Sequence, residues 1–148
     1  EKYIEGLSKV NWPGRLETLD FMDRKILIDG AHNPQGARKL RAYLDKKYSQ
    51  GNIYFLIGIL DDKDKKGILD EVYDKATEIF FSKPEGNRTQ NWNVLPLEYN
   101  LKKNIIFMES THEALLELVH KAKKDDLILS FGSFYFISKV REIIISSR

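Results

Sequence analysis

Residues 28–34 read Ile28-Asp29-Gly30-Ala31-His32-Asn33-Pro34, an apolar run that ends at a carboxylate, a glycine and an imidazole just before a proline. A helical pattern follows, so these side chains sit where a strand passes into a helix, and ligands of open α/β sheets bind outside the carboxyl ends of the strands. Gly30 permits a sharp turn or the close approach of a ligand to the backbone. The helix start adds unpaired N–H donors and about half a positive charge, which suits an anion. Spacing alone also admits a plainer reading, in which Asp29 and Asn33 cap the turn and His32 faces solvent. Upstream, Trp12-Pro13-Gly14-Arg15-Leu16-Glu17 sets an arginine behind a Pro-Gly turn. Held there, Arg15 would present its planar fork to a phosphate or carboxylate, which lysine does less well; alternatively it pairs with Glu17 or with a surface acid. Another strand end meets a helix start at Gly132-Ser133, where Ser133 is either a ligand contact or a plain N-cap.

The remaining candidates are weaker. His112 and His120 lie two helical turns, about 12 Å, apart along one helix and cannot share an ion, so no residues are assigned to a metal. The runs Lys63-Asp64-Lys65-Lys66, Lys102-Lys103 and Lys121 to Lys124 read as solvated faces beside acids. Asn87-Arg88-Thr89 spells a glycosylation acceptor, but no signal peptide accompanies it. Neither G-x-x-x-x-G-K-[ST] nor G-x-G-x-x-G occurs, so any main phosphate cradle lies outside these residues.

The elements that must position these groups follow from the apolar pattern. Strands are predicted at Leu16 to Phe21, Ile26 to Asp29, Ile53 to Gly58, Ile79 to Ser82, Ile105 to Met108 and Leu127 to Phe131. Most are short and apolar throughout, as suits strands covered on both faces. Helices are predicted between them. Ala37, Leu40, Leu44 and Tyr48 make one face after Asn33-Pro34, and Ile68, Leu69 and Val72 point inward after Asp64. Leu115, Leu118, Val119 and Ala122 do so after Ser110, which with Glu113 has capping-box spacing. A last helix from near Ser133 carries Phe134, Ile137, Val140 and Ile144 on one face. Alternation of strands and helices predicts an α/β domain, Rossmann-like and three-layered, with about six mostly parallel strands and helices on both faces. Residues 1–15 read as an opening loop or linker and 16–148 as the domain, with Lys83 to Leu101 a long loop holding at most one turn of helix.

Composition sets the outer limits. The 148 residues carry 24 Lys and Arg against 22 Asp and Glu, a balance of 24 − 22 = +2. That is a poor electrostatic footprint for nucleic acid. With 42% hydrophobic and 31% charged residues the chain is an ordinary globular one, long enough to bury a core without staples. It has no Cys, which removes disulfides, thiolate nucleophiles and zinc-thiolate sites and fits a cytoplasmic location. No apolar run reaches the ~18 residues of a membrane span. The chain starts at Glu1, with its two Met at positions 22 and 108, and is expected to be part of a longer protein.

Taken in order, Trp-Pro-Gly-Arg-Leu-Glu at 12–17, Asp-Gly-Ala-His-Asn-Pro at 29–34, Gly-Ile-Leu-Asp-Asp-Lys-Asp at 58–64 and Gly-Ser-Phe-Tyr-Phe-Ile at 132–137 resemble the C-terminal domain of folylpolyglutamate synthase. Its bifunctional form is also a dihydrofolate synthase, and the group belongs with the muramyl ligases among ATP-dependent amide ligases. The resemblance implies a lid that closes over an N-terminal ATPase domain outside this chain, which would hold the P-loop, Mg²⁺ and most of the folate site. It implies that Arg15 reaches the ATP phosphates and Asp29 the nucleotide. His32 and Asn33 would face the cleft near the phosphates or the incoming L-glutamate, with His32 nearest the chemistry and Ser133 toward substrate. The implied substrates are folate or dihydropteroate, L-glutamate and ATP, the implied state a monomer, and the isolated domain is expected to be inactive. At Ser82-Lys83-Pro84 and Gly86-Asn87-Arg88-Thr89 the chain departs from the family pattern, and Arg88 is given no role. The competing class is a free-standing, non-catalytic α/β domain that binds a nucleotide or a protein partner.

Overall fold

The computed structural model describes residues 13–148; most of the expected opening loop, including Trp12, lies outside them. Residues 13–16 form a turn that leads into β1 (Glu17–Phe21). There follow β2 (Arg24–Asp29), α1 (Pro34–Lys47), β3 (Ile53–Gly58), α2 (Lys65–Val72), β4 (Glu78–Phe81), β5 (Ile105–Phe107), α3 (Thr111–Lys121), β6 (Leu127–Gly132) and α4 (Phe134–Ser146). The six strands form one sheet in the order β1-β2-β6-β3-β4-β5, parallel at every pairing except β1 with β2. This is the expected α/β architecture.

Alternation along the central strands divides the core in two. Leu27, Phe55, Ile57, Leu129 and Phe131 face α1 and α2, where Ala37, Leu40, Leu44, Ile68, Leu69 and Val72 meet them. Ile26, Ile28, Leu56 and Ile128 face the other way, toward Leu115, Leu118, Phe136, Val140 and Ile144 of α3 and α4. Each fully buried side chain of this size contributes about 1.5–3 kcal/mol, so both layers are anchored without help from capping alone. The caps add to this. Asn33, Asp64, Ser110 and Ser133 each accept the N–H three residues on, at 2.7, 2.9, 3.2 and 3.1 Å.

Two expectations need correction, and one predicted strand gains a partner. The last helix turns Phe136, not Phe134, into the core; Phe134 stands 72% exposed, because Ser133 caps the helix and places position 136 against the sheet. The run 63–66 is solvated only at Asp64 and Lys66. Asp64 caps α2, and the Lys65 ammonium donates to the carbonyls of Asn91 (3.0 Å) and Val94 (2.7 Å), pinning the long loop after β4. That partial burial pushes the Lys65 ammonium below its ordinary value. The strand predicted at 16–21 is half of a hairpin. Met22 and Asp23 turn with φ of 50° and 61°, the primed geometry that suits a two-residue hairpin. The long loop does hold one short helical turn, Leu97–Tyr99.

Candidate functional site

The chain leaves β2 for β3 and later returns β6 between them, so the carboxyl ends of β2, β6 and β3 lie side by side where the strand order switches. Two of these ends are glycines that face each other, Gly58 on β3 and Gly132 on β6. A Cβ on Gly132 would fall 1.9 Å from the Gly58 carbonyl oxygen, and one on Gly58 would fall 2.2 Å from the Phe136 ring. No larger residue lets the strands end this closely, and the approach lets the Ser133 N–H donate to the Gly58 oxygen at 2.9 Å.

Above these ends opens a cleft of about 440 Å³, lined by Pro13, Gly14, Arg15, Gly30, His32, Leu60, Lys63, Arg88, Ser133, Phe134, Tyr135 and Ile137. Arg15, His32 and Ser133, expected from the sequence, thus share one cavity. Asp29 does not line it. Asp29 and Arg15 border an adjoining hollow with Leu16, Gly36 and Lys39, and Asn33 lines neither.

The local geometry assigns each residue a first task. Asp29 accepts the Leu16 N–H on one oxygen (3.1 Å) and the Ala31 N–H on the other (3.0 Å), tying the Arg15 turn to the start of α1. Burial raises the Asp29 carboxyl above its ordinary value; its backbone N–H donors and the Arg15 charge act against this without cancelling it. Asn33 is the α1 N-cap, as its plainer reading had it, and Ser133 Oγ accepts the Phe136 N–H as the α4 N-cap. His32 Nδ1 lies 2.8 Å from the Gly30 carbonyl oxygen. A carbonyl only accepts, so Nδ1 carries the proton and Nε2 is the nitrogen left for a ligand. Arg15 does not pair with Glu17. That carboxylate is buried and bonded to Arg141, so among the described residues Arg15 has no ion-pair partner.

Sequence reasoning passed over several lining residues. Lys63 was set among solvated charges, yet it lies just beyond a strand end, the position that singled out Asp29 and Ser133. Arg88 sits in the left-handed region (φ 62°) and bonds Asp62 at 2.7 Å, while its carbonyl accepts the Asp61 N–H. It therefore belongs to the β3–α2 loop in space although it lies 26 residues on. Phe134 and Tyr135, 72% and 63% exposed, present two aromatic faces to the cleft. The result is a concave wall with Arg15, Lys63 and Arg88 on one cavity, suited to holding an anion. Among the described residues no cluster of His, Asp or Glu has the form of a metal site.

Residues 14–134 match the family model described as "Mur ligase, glutamate ligase domain". The dihydrofolate synthase/folylpolyglutamate synthase of Buchnera aphidicola subsp. Schizaphis graminum is 32% identical over 143 residues, which is 97% of this chain and 34% of that protein. The solved folylpolyglutamate synthase of Thermotoga maritima aligns with a TM-score of 0.82 at 27% identity, over 100% of this chain and 34% of that one. The bifunctional folylpolyglutamate synthase/dihydrofolate synthase of Yersinia pestis, complexed with AMPPNP and Mn ion, aligns with a TM-score of 0.79 at 26% identity, over 92% of this chain and 32% of that one. This chain spans roughly a third of the length of these relatives.

Proposed function

The chain belongs to the glutamate ligase domain family of the Mur ligases, and from that premise we propose that it is the C-terminal domain of an ATP-dependent ligase that joins L-glutamate to folate or dihydropteroate. The observation that carries the reading is the cleft at the switch in strand order, where Arg15, Lys63 and Arg88 meet His32 and the start of α4. In the reaction the γ-phosphoryl group of ATP passes to a carboxylate, releasing ADP. The glutamate amine then attacks the acyl phosphate, loses a proton and expels phosphate.

Each residue suits a part of that sequence. Arg15 offers a planar fork to phosphate oxygens, and its charge is worth most once closure excludes water. The N–H groups of Phe134 and Tyr135, at the start of α4, lie beside Ser133, where a substrate carboxylate would sit. The free Nε2 of His32, an acceptor, suits a proton from the incoming ammonium. Asp29 lines the hollow it shares with Arg15, and with Asn33 it holds the turn that would face the nucleotide. The donor set of this chain fits phosphate better than a divalent cation; Mg²⁺, which would neutralise charge on the transferring group, is assigned mainly to an N-terminal ATPase domain. That domain is the partner over which this one closes, in a monomeric enzyme. Closure keeps water from the acyl phosphate.

The test is the full-length protein assayed for ADP release and product with dihydropteroate, tetrahydrofolate and a cell-wall precursor, each with ATP and L-glutamate. Turnover with either pteridine substrate is expected. Turnover with the cell-wall precursor alone would reassign the substrate, and none with any acid would favour a non-catalytic binding domain.

A further inference from the structure

The most deeply buried carboxylate among the described residues has no part in the reaction set out above. Glu17 opens β1 with 3% of its surface exposed, at the edge of the sheet, where a charge is out of place unless it is paired. Its Oε1 accepts the Gly14 N–H at 2.9 Å, and Arg141 Nε lies 3.0 and 3.2 Å from its two oxygens. Arg141 is on α4, 124 residues away, on the helix whose first turn lines the cleft.

The turn these groups clasp is conformationally awkward. Gly14 and Leu16 both sit at positive φ, 75° and 47°, on either side of Arg15. For Leu16 that region is strained, and strain persists only where the surroundings over-determine the backbone. Here two carboxylates do so. Glu17 takes the N–H before Arg15 and Asp29 the N–H after it. Ile137 of α4 closes the remaining side, since a Cβ on Gly14 would lie 2.9 Å from its Cδ1. We infer that Glu17 and Arg141 are positioning residues for Arg15: their ion pair locks the strained turn onto α4 and fixes the distance between the Arg15 wall and the Ser133 wall of the cleft. The pair explains why a carboxylate is buried two residues from an arginine with which it does not pair. Were Glu17 free to bond Arg15, the fork would be neutralised before substrate arrived. The inference rests on the reading of Arg15 as a phosphate partner.

In the full-length ligase, kcat and KM for ATP are measured for Arg141→Met, Glu17→Gln and Arg15→Ala, and for Arg15→Ala combined with each. Arg141→Met is expected to lower kcat about tenfold, within the range that a misplaced catalytic group reaches, while the protein still melts in one cooperative transition. In the Arg15→Ala background the same change is expected to cost less than about twofold, because neighbours acting through one group are not additive. Arg141→Lys, which keeps the charge but not the fork, should fall between Arg141→Met and wild type. Should Glu17→Gln fail to fold, the Arg141 variants carry the test. A kcat for Arg141→Met within about twofold of wild type, or the same loss in both backgrounds, overturns the inference while Arg15→Ala remains slow. If Arg15→Ala is itself as fast as wild type, the underlying reading of Arg15 fails and the positioning role fails with it.

Discussion

Gly132 adopts φ of 140°, and its neighbour across the sheet leaves no room for a Cβ. Gly132→Ala therefore combines backbone strain with a clash against rigid main chain, and is expected to destabilise the domain by about 2–5 kcal/mol in urea unfolding. Ser130, two residues earlier, makes the opposite case: its hydroxyl is fully buried and has no partner among the described residues. Ser130→Ala should be neutral or stabilising by up to about 1 kcal/mol in the same measurement, because it removes a desolvated group at little change in volume. At this scale the sequence was legible where a residue's type limits its use. Arg15 behind a Pro-Gly turn and His32 and Ser133 at strand ends were candidates from the sequence, and the structure gathers all three on one cleft. Glu17–Arg141 was not, since nothing local links positions so far apart, and Arg88 was missed because only tertiary folding brings it to the β3–α2 loop.

Helices were the most legible elements, each announced by a capping side chain and an apolar face. Phe134 misled because it and Tyr135 directly precede the correct aromatic, Phe136, and composition alone does not say which faces the sheet. The β1–β2 hairpin hid behind Met22-Asp23, which lacks the glycine that usually marks a primed turn. Outside the cleft, α1 and α2 are joined by surface charges: Arg38 bonds Glu71 at 2.9 Å, and Arg41 pairs with Asp74 just beyond α2. The Arg41 guanidinium holds the Asp74 carboxyl below its ordinary value. A lowered carboxyl contributes stability above its unfolded pKa of about 3.9 and loses it as pH falls through the folded value. The melting temperature should thus drop on going from pH 5 to pH 3, and Asp74→Asn should lessen the part of that drop due to this site. Because the pair is solvent-exposed, the difference at pH 7 is expected to stay within about 1 kcal/mol.

As a whole molecule the domain matches about a third of the length of its relatives, and the proposed function gives it one half of a site. Its core has two apolar layers, and its cleft presents Arg15, Lys63 and two exposed aromatic rings on one concave wall, a form that suits the lid proposed above. The chain alone should fold, bind ATP weakly and form no amide bond; measurable ligase turnover by these residues alone would contradict the division of labour proposed above. The central claim is that Arg15 meets the phosphates of ATP in a closed ligase, and kcat of the Arg15→Ala variant in the full-length enzyme tests it most directly. Loss of such a donor costs roughly 2.7–4 kcal/mol, so turnover should fall at least about a hundredfold, and turnover near that of the wild type would contradict the claim.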